Sequence, residues 1–338
     1  MVGSKGKGTT ATYAAAVLRS AGLRVGLITS PGYRSHRERV RVDGVALSVD
    51  DYAALAGEVG AALHRVPPRP AGSGYVSPTG AFTLAGLAWL VRQDVDALVV
   101  EAGMGGASDE ASLTRPVVVA VTPIFEEHLG ILGDDLAAIA HDKAGAIGPA
   151  TRAVVSAPQV PLVAEIVAAA AGSRLEAAPA SGAGSSLVEV NAGVGYEAAQ
   201  AYLRALGLPP APEKLPDVRL PGRLSVHHLG GQTWVLDSAI SPAGIREALA
   251  WCRAEVGDPT TVLLSIPDTK DPAACLAALA GEPVVPVRST ASHLAFTPAD
   301  LPALADLDDL GPRVLALGTI SFVGEALDLL DVDMSRLF

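Results

Sequence analysis

Only 4% of the 338 residues are aromatic and just two are cysteine, and no block of Lys or Arg runs along a chain whose formal net charge is -11. Each shortage closes a class of function. Without a basic stripe there is no nucleic-acid or anionic-membrane surface, so any polyanion must enter a small, locally basic pocket. Cys252 and Cys275 stand apart in stretches patterned as helices, and neither has CxxC spacing. That removes support for a disulfide framework or a zinc site and points to a reducing cytoplasm. The longest apolar stretches, such as LAGLAWLV over 84–91, fall far short of the roughly 20 residues that cross a bilayer. The first residues do not make a signal peptide, because glycine and lysine take the place of an apolar core.

What is abundant is Ala, Val, Leu and Gly, within a hydrophobic share of 49%. That composition belongs to helix-and-parallel-sheet proteins, and the length allows two domains of about 150 residues each. Apolar strands are expected at 24–30, 96–103, 117–123 and 152–158, and a hairpin over 39–48 turning at Asp43-Gly44. Helical patterning covers 10–23, 50–64, 79–93, 134–147 and 196–208. The stretches 66–78 and 175–186 read as loops. Strand alternating with helix argues a doubly wound, mostly parallel sheet. After a proline-rich linker over 209–223 come strands at 233–239, 260–266, 283–287 and 313–319 and helices at 242–255 and 272–280. The fold class expected is therefore α/β: a P-loop-type doubly wound domain over 1–215 and a smaller Rossmann-like α/β domain over 216–338. No internal repeat is present.

The chemistry-bearing residues are modest one by one. Gly3-Ser4-Lys5-Gly6-Lys7-Gly8-Thr9 can wrap backbone N–H groups around phosphate oxygens at a helix N-terminus. Lys7 adds a mobile charge and a threonine hydroxyl a Mg²⁺ ligand. A glycine between lysine and threonine departs from GxxxxGK[ST], and a plain Gly/Lys tail is the bland alternative. Glu101 ends an apolar strand before GMGG, at the sheet edge where ligands bind and where a hard cation wants an oxygen; many such glutamates only make turns. His128 alone is a loop histidine, and Lys143 by periodicity is a surface helix lysine. Arg223 follows a rigid Pro221-Gly222 and Asp237 closes a strand.

Taken in order, the loop, ITSP (28–31), EAGMGG (101–106), EEHLGILGDDLAAIAHDKAGAI (126–147), LPGR (220–223), VLDSAISP (235–242) and ALGTISFVGEAL (316–327) resemble one family. It is the folylpolyglutamate synthase and dihydrofolate synthase branch of the Mur ligases, and the resemblance runs from residue 1 to about residue 328. It implies an ATP-dependent amide ligase in which a carboxylate takes the γ-phosphoryl group and an amine, such as glutamate, displaces phosphate from the acyl phosphate. The resemblance assigns Gly3 to Thr9 to the ATP phosphates and Ser30 and Glu101 to one Mg²⁺. His128 goes to a second Mg²⁺, with Lys143 as a carbamate supplying it oxygens. Lys7, His128 and Lys143 become the catalytic set, and Arg223 and Asp237 reach the nucleotide from the second domain. The partners implied are small-molecule carboxylate and amino-acid substrates. The chain is expected as a cytoplasmic monomer or small homo-oligomer, with no nucleic acid and no membrane.

Several positions depart from the family pattern. DGAHNP is here Asp237-Ser238-Ala239-Ile240-Ser241-Pro242, so Ile240 and Ser241 replace a histidine and an asparagine. Ala107 replaces an arginine, Gly32 the histidine after TSP, and Thr83 the glutamate of an FE helix; GLDH is Phe125-Glu126-Glu127-His128. Family members also carry some tens of residues and a first central strand before the loop, where this sequence has Met1 and Val2. Either the reading frame continues upstream or the strand is missing, and the several kcal/mol lost by uncovering neighbouring strands favours the first. Lys7, Glu101, His128 and Lys143 favour catalysis. Ile240, Ser241 and Ala107 favour a non-catalytic nucleotide-binding relative that serves as a partner or regulatory subunit, and a nucleotide hydrolase is a third reading.

Overall fold

The structure, a computed structural model, describes residues 1–67, 77–178 and 186–338. Most of the loops expected over 66–78 and 175–186 therefore lies outside the described residues. The chain divides into two compact units, one of Met1–Pro31, His36–Val218 and Ser335–Phe338, the other of Gly32–Ser35 and Arg219–Met334.

In the larger unit, helix α1 (Lys7–Ser20) buries Ala11, Ala14, Ala15, Val17 and Leu18 against strand β1 (Val25–Ile28). β1 pairs antiparallel with β2 (Val40–Val42), which folds back through Asp43-Gly44 to β3 (Val45–Ala46), the hairpin expected from sequence. Helices α2 (Val49–Leu63) and α3 (Pro78–Val91) follow, and then β4 (Ala97–Val100), parallel to β1. A second sheet holds β5 (Val118–Val121), β6 (Ala153–Ser156) and β7 (Leu175–Ala177), all parallel, with α4 (Leu136–Ala144) and α5 (Pro161–Ala171) in the crossovers. β7 occupies a stretch that reads as loop. Because successive strand residues face opposite sides, Val119, Val121 and Val154 meet Ile139 of α4 and Val163 and Val167 of α5. Ala120, Ala153 and Val155 instead meet Val194, Ala198 and Ala201 of α6 (Leu187–Leu206). Helices thus cover both faces, as a doubly wound sheet requires.

Helix α6 is longer than its sequence pattern, which starts at 196. Valines and glycines in LVEVNAGVG lower helix propensity, but a capping box closes the true start, with Ser186 Oγ accepting from Glu189 N and the Glu189 side chain accepting from Ser186 N. Packing supplies the rest: a Cβ on Gly195 would lie 2.6 Å from Thr10 O, so this glycine is what lets α6 press onto α1.

Met1 and Val2 lie between β4 and β5. Val2 N donates to Ala120 O at 2.9 Å, Thr122 N to Val2 O at 2.9 Å, and Ala102 N to Met1 O at 3.0 Å. The Met1 amino group donates to Val100 O at 2.7 Å. Val2 thereby forms a parallel bridge with Val121. Beyond them β4 and β5 share no ladder among the described residues. A cavity of about 390 Å³ opens there, lined by Leu98, Val100, Val118 and Ala199 among others. Glu101 N bonds to β1 through Ile28 O, and Val121 O accepts from Ala157 N beyond β6. Strand alternation then turns the even-numbered amides of β4 and β5, such as those of Leu98 and Val118, toward the cavity.

The smaller unit is a five-stranded sheet in the order β11-β10-β12-β9-β8. β9 (Gln232–Asp237), β10 (Thr261–Ser265), β11 (Val284–Pro286) and β12 (Arg313–Gly318) are parallel, and β8 (Ser225–Leu229) is an antiparallel edge. Sequence reading omits β8 because SVHHL carries two histidines and little apolar patterning. Its place is set by the Gly230-Gly231 turn, where both glycines have positive φ. Helices α7 (Pro242–Glu255) and α8 (Pro272–Ala277) pack one face, burying Ile245, Leu249, Cys252 and Cys275. Helix α9 (Ile320–Leu329) packs the other, with Phe322, Val323 and Leu327 against Trp234 and Leu263. Both cysteines are free and buried. Among the described residues no helix is long and apolar enough to cross a membrane.

Candidate active site

The loop between Val2 and α1 is held at its start and left open at its end. Ser4 N donates to Pro123 O at 2.9 Å, while Ser4 Oγ donates to Phe125 O at 3.0 Å and accepts from Phe125 N at 3.1 Å. Gly6 is the N-cap of α1 in the left-handed region (φ 88°), and it offers no side-chain cap. A Cβ there would also lie 2.0 Å from the Asn191 amide nitrogen, so only glycine serves. The first N–H groups of α1 therefore point outward with the positive end of the helix dipole, the arrangement that receives phosphate. Lys7 Nζ, on the same turn, rests 3.0 Å from Gly3 O. Thr9 is buried, and Thr10 donates to Asn191 O at 3.0 Å, which commits it to the α1–α6 contact.

Glu101 follows β4 at the carboxyl edge of the sheet and is 6% exposed. Its Oε2 accepts from Ser30 N at 2.8 Å and would lie 3.2 Å from a Cβ on Gly8. A buried carboxylate is thus held between the first turn of α1 and the ITSP turn. Among the described residues no cluster of three or more His, Cys, Asp or Glu could hold a metal ion. A divalent ion at Glu101 would complete its shell from hydroxyl, phosphate and water oxygens, which suits Mg²⁺.

Lys143 is not the surface lysine its helix period suggests: its side chain is 0% exposed. Nζ donates to Gly3 O at 2.9 Å, Met104 O at 2.8 Å and Glu127 Oε1 at 2.9 Å. Burial pulls its pKa below the ordinary lysine value, against the opposing pull of Glu127. Oε2 of the same glutamate lies 3.8 Å from His128 Nε2, on a ring that is 38% exposed. Next to Lys143, Asp142 accepts from Gly106 N at 2.9 Å and Ser108 N at 3.3 Å, and its carbonyl accepts from Ala107 N at 2.8 Å. Helix α4 thereby fixes the GMGG turn.

The larger unit accordingly brings together Gly3 to Thr9, Ser30, Glu101, His128 and Lys143. Arg223 and Asp237 belong to the other unit. There Arg223 N donates to Leu220 O at 3.0 Å, and Asp237, 8% exposed at the end of β9, accepts from Leu224 N at 3.0 Å. The two departures beside them have structural employment. Ile240 packs on the α7 core, and Ser241 is the N-cap of α7, accepting from Gly244 N at 3.3 Å.

Three residues escape sequence reading. Glu127 and Asp142 are hidden among neighbouring acids, and only the contact with Lys143 and the GMGG amides marks them. Arg39 is 4% exposed, with its guanidinium 4.5 Å from the Phe82 ring centroid and donating at 3.5 Å to Thr29 O and Thr79 O. Burial lowers its pKa and the Glu101 charge raises it. One of three alternating arginines in RERVRV, it gives no sign of that partner.

No family model matches the chain. It is 40% identical over 156 residues to a probable bifunctional folylpolyglutamate synthase/dihydropteroate synthase of Haloferax volcanii, covering 46% of this chain and 18% of that protein. It is 34% identical over 169 residues to the folylpolyglutamate synthase of Lacticaseibacillus casei, covering 50% of this chain and 39% of that one. The matched stretch thus spans well under half the length of these curated relatives. A solved FPGS–AMPPCP–folate complex superposes with a TM-score of 0.80 at 27% identity, covering 97% of this chain and 88% of that one. The motif resemblance and the α/β fold class are borne out.

Proposed function

We propose, from the premise that the chain is a divergent relative of the folylpolyglutamate synthase and dihydrofolate synthase branch of the Mur ligases, that it is an ATP-dependent acid–amino-acid ligase. It joins an amino acid such as glutamate to a carboxylate substrate through an acyl phosphate. The observation that carries this reading is the Glu101 carboxylate, held by Ser30 N at 2.8 Å beside the uncapped first turn of α1. Loop amides from Gly3 to Thr9 hold the ATP phosphates, and Lys5 and Lys7 offset their charge in an otherwise acidic chain. Ser30 and Glu101 hold Mg²⁺, which when bound draws charge off the γ-phosphate. The protein's own share of the chemistry is positioning and electrostatic: it lines up the attacking carboxylate oxygen with the γ-phosphorus and neutralises charge developing on the transferred group. His128, with Nε2 3.8 Å from Glu127 Oε2, belongs to the catalytic set of this reading. Domain limits at 1–215 and 216–338, a cytoplasmic location and a monomer or small homo-oligomer belong to the same reading.

The test supplies ATP, Mg²⁺ and candidate carboxylate and amine pairs and measures phosphate release. Release only when both are present is the expected result, and release without an amine points to a hydrolase. A second reading is favoured by a specific observation. Ile240 and Ser241 are taken up by the core and cap of α7, which suits a nucleotide-binding subunit without turnover. Nucleotide binding with no release under any pairing would select it.

A further inference from the structure

In the smaller unit, Arg223 stands between two backbone amides that side chains hold in place. Leu220, Pro221, Gly222 and Arg223 form a four-residue turn, closed by Arg223 N donating to Leu220 O at 3.0 Å. Proline in its second place and glycine at φ 77° in its third give the type II pattern. Before Arg223, Gly222 N donates to Ser225 Oγ at 2.8 Å. After it, Leu224 N donates to Asp237 Oδ2 at 3.0 Å. Leu224 lies in the left-handed region (φ 47°), which a bulky residue keeps only where its surroundings impose it. Gly222 O is held too, accepting from Ser238 Oγ at 3.0 Å and from Tyr33 Oη at 3.2 Å.

Ser225 does not hold Gly222 by itself. A hydroxyl has one proton to give, and among the described residues the acceptor within reach of Ser225 Oγ is His227 Nε2, at 2.8 Å. With Oγ accepting from Gly222 N, that proton points to Nε2, which requires a neutral imidazole carrying its own proton on Nδ1. The charged groups that act on the ring, Arg219 and His228, are both basic, and across the ladder on β9 stands the neutral Trp234. Burial, then these two, keep the imidazole below the ordinary histidine pKa. A proton arriving at Nε2 would turn the ring into a donor aimed at Ser225 Oγ, and the hydroxyl would lose its acceptor.

We propose that Ser225 and His227 are positioning residues: the neutral imidazole aligns the serine, the serine fixes the amide before Arg223, and the turn loosens its hold on a nucleotide when His227 takes up a proton. The effect on binding rests on the nucleotide reading above, within which the resemblance assigns Arg223 to the nucleotide. The hydrogen-bond relay does not.

The test measures affinity of the whole protein for a non-hydrolysable ATP analogue with Mg²⁺, by calorimetry at pH 7 and pH 5. His227→Gln keeps an acceptor for the serine proton and cannot titrate, and is expected to bind as wild type does at pH 7. His227→Leu keeps no acceptor and is expected to bind about fivefold more weakly, the loss of one ordinary hydrogen bond. On moving to pH 5 the wild type is expected to lose about fivefold more affinity than His227→Gln; the analogue's own titration is common to both proteins. Equal losses in the two, or wild-type affinity in a folded His227→Leu, would overturn the proposal. Histidine ¹⁵N NMR gives a readout that needs neither the nucleotide nor the leucine variant. At pH 7 His227 is expected as the Nδ1–H tautomer, and a proton on Nε2 would overturn the relay. If the wild-type protein binds no analogue, the nucleotide reading falls and takes the role in binding with it, while the tautomer still decides the relay.

Discussion

Lys7 and Lys143 share the Gly3 carbonyl, yet their surroundings assign them different tasks. Lys7 is half-buried at the mouth of the loop, and Lys143 is sealed beneath it. Lys7→Ala is therefore expected to lower turnover by at least about 100-fold, the cost of losing one charge-stabilising donor, with an unchanged melting temperature. Steady-state kinetics beside circular dichroism checks this, and an unaltered rate would remove the loop from the mechanism. His227 gives a second residue-scale prediction. Burial, then Arg219 and His228, push its pKa below the ordinary histidine value. Ser225 Oγ accepts from Gly222 N and meets His227 Nε2, each at 2.8 Å. The unfolded chain then binds the proton more readily than the folded one below about pH 6.5. Stability attributable to His227 is present at neutral pH and lost as pH falls. Melting temperatures between pH 7 and pH 5 should drop less in His227→Gln than in wild type. Of the candidate residues, those adjoining glycine or a strand end were legible in sequence. Lys143 was legible only through the family resemblance, because helix periodicity cannot foresee a partner such as Gly3 that lies far away in the chain. Glu127 and Arg39 give no local signal at all.

At the scale of elements, the legible parts were those with one strong pattern. The apolar strands around 24–30 and 117–123 and the Asp43-Gly44 hairpin stand where expected. The missed parts were decided by packing: β7 and β8 are short strands with weak patterns, and the first half of α6 is stabilised by its capping box and by the close approach at Gly195. Caps give a direct check. Ser241→Ala removes the side-chain acceptor for Gly244 N and is expected to cost about 1 kcal/mol, read from urea unfolding.

At the scale of the whole molecule, an acidic chain of net charge -11 sets two of its five lysines, Lys5 and Lys7, in one loop, and the fold places a buried carboxylate beside it. That combination suits the metal-bound polyphosphate of the proposed reaction. In the proposed reaction ATP is spent on activating a carboxylate. With a carboxylate and amine pair that supports turnover, and the carboxylate labelled with ¹⁸O, mass spectrometry of the released phosphate reads this most directly. One labelled oxygen is expected to move from the carboxylate to the phosphate for each amide formed. Phosphate carrying only water-derived oxygen would contradict it.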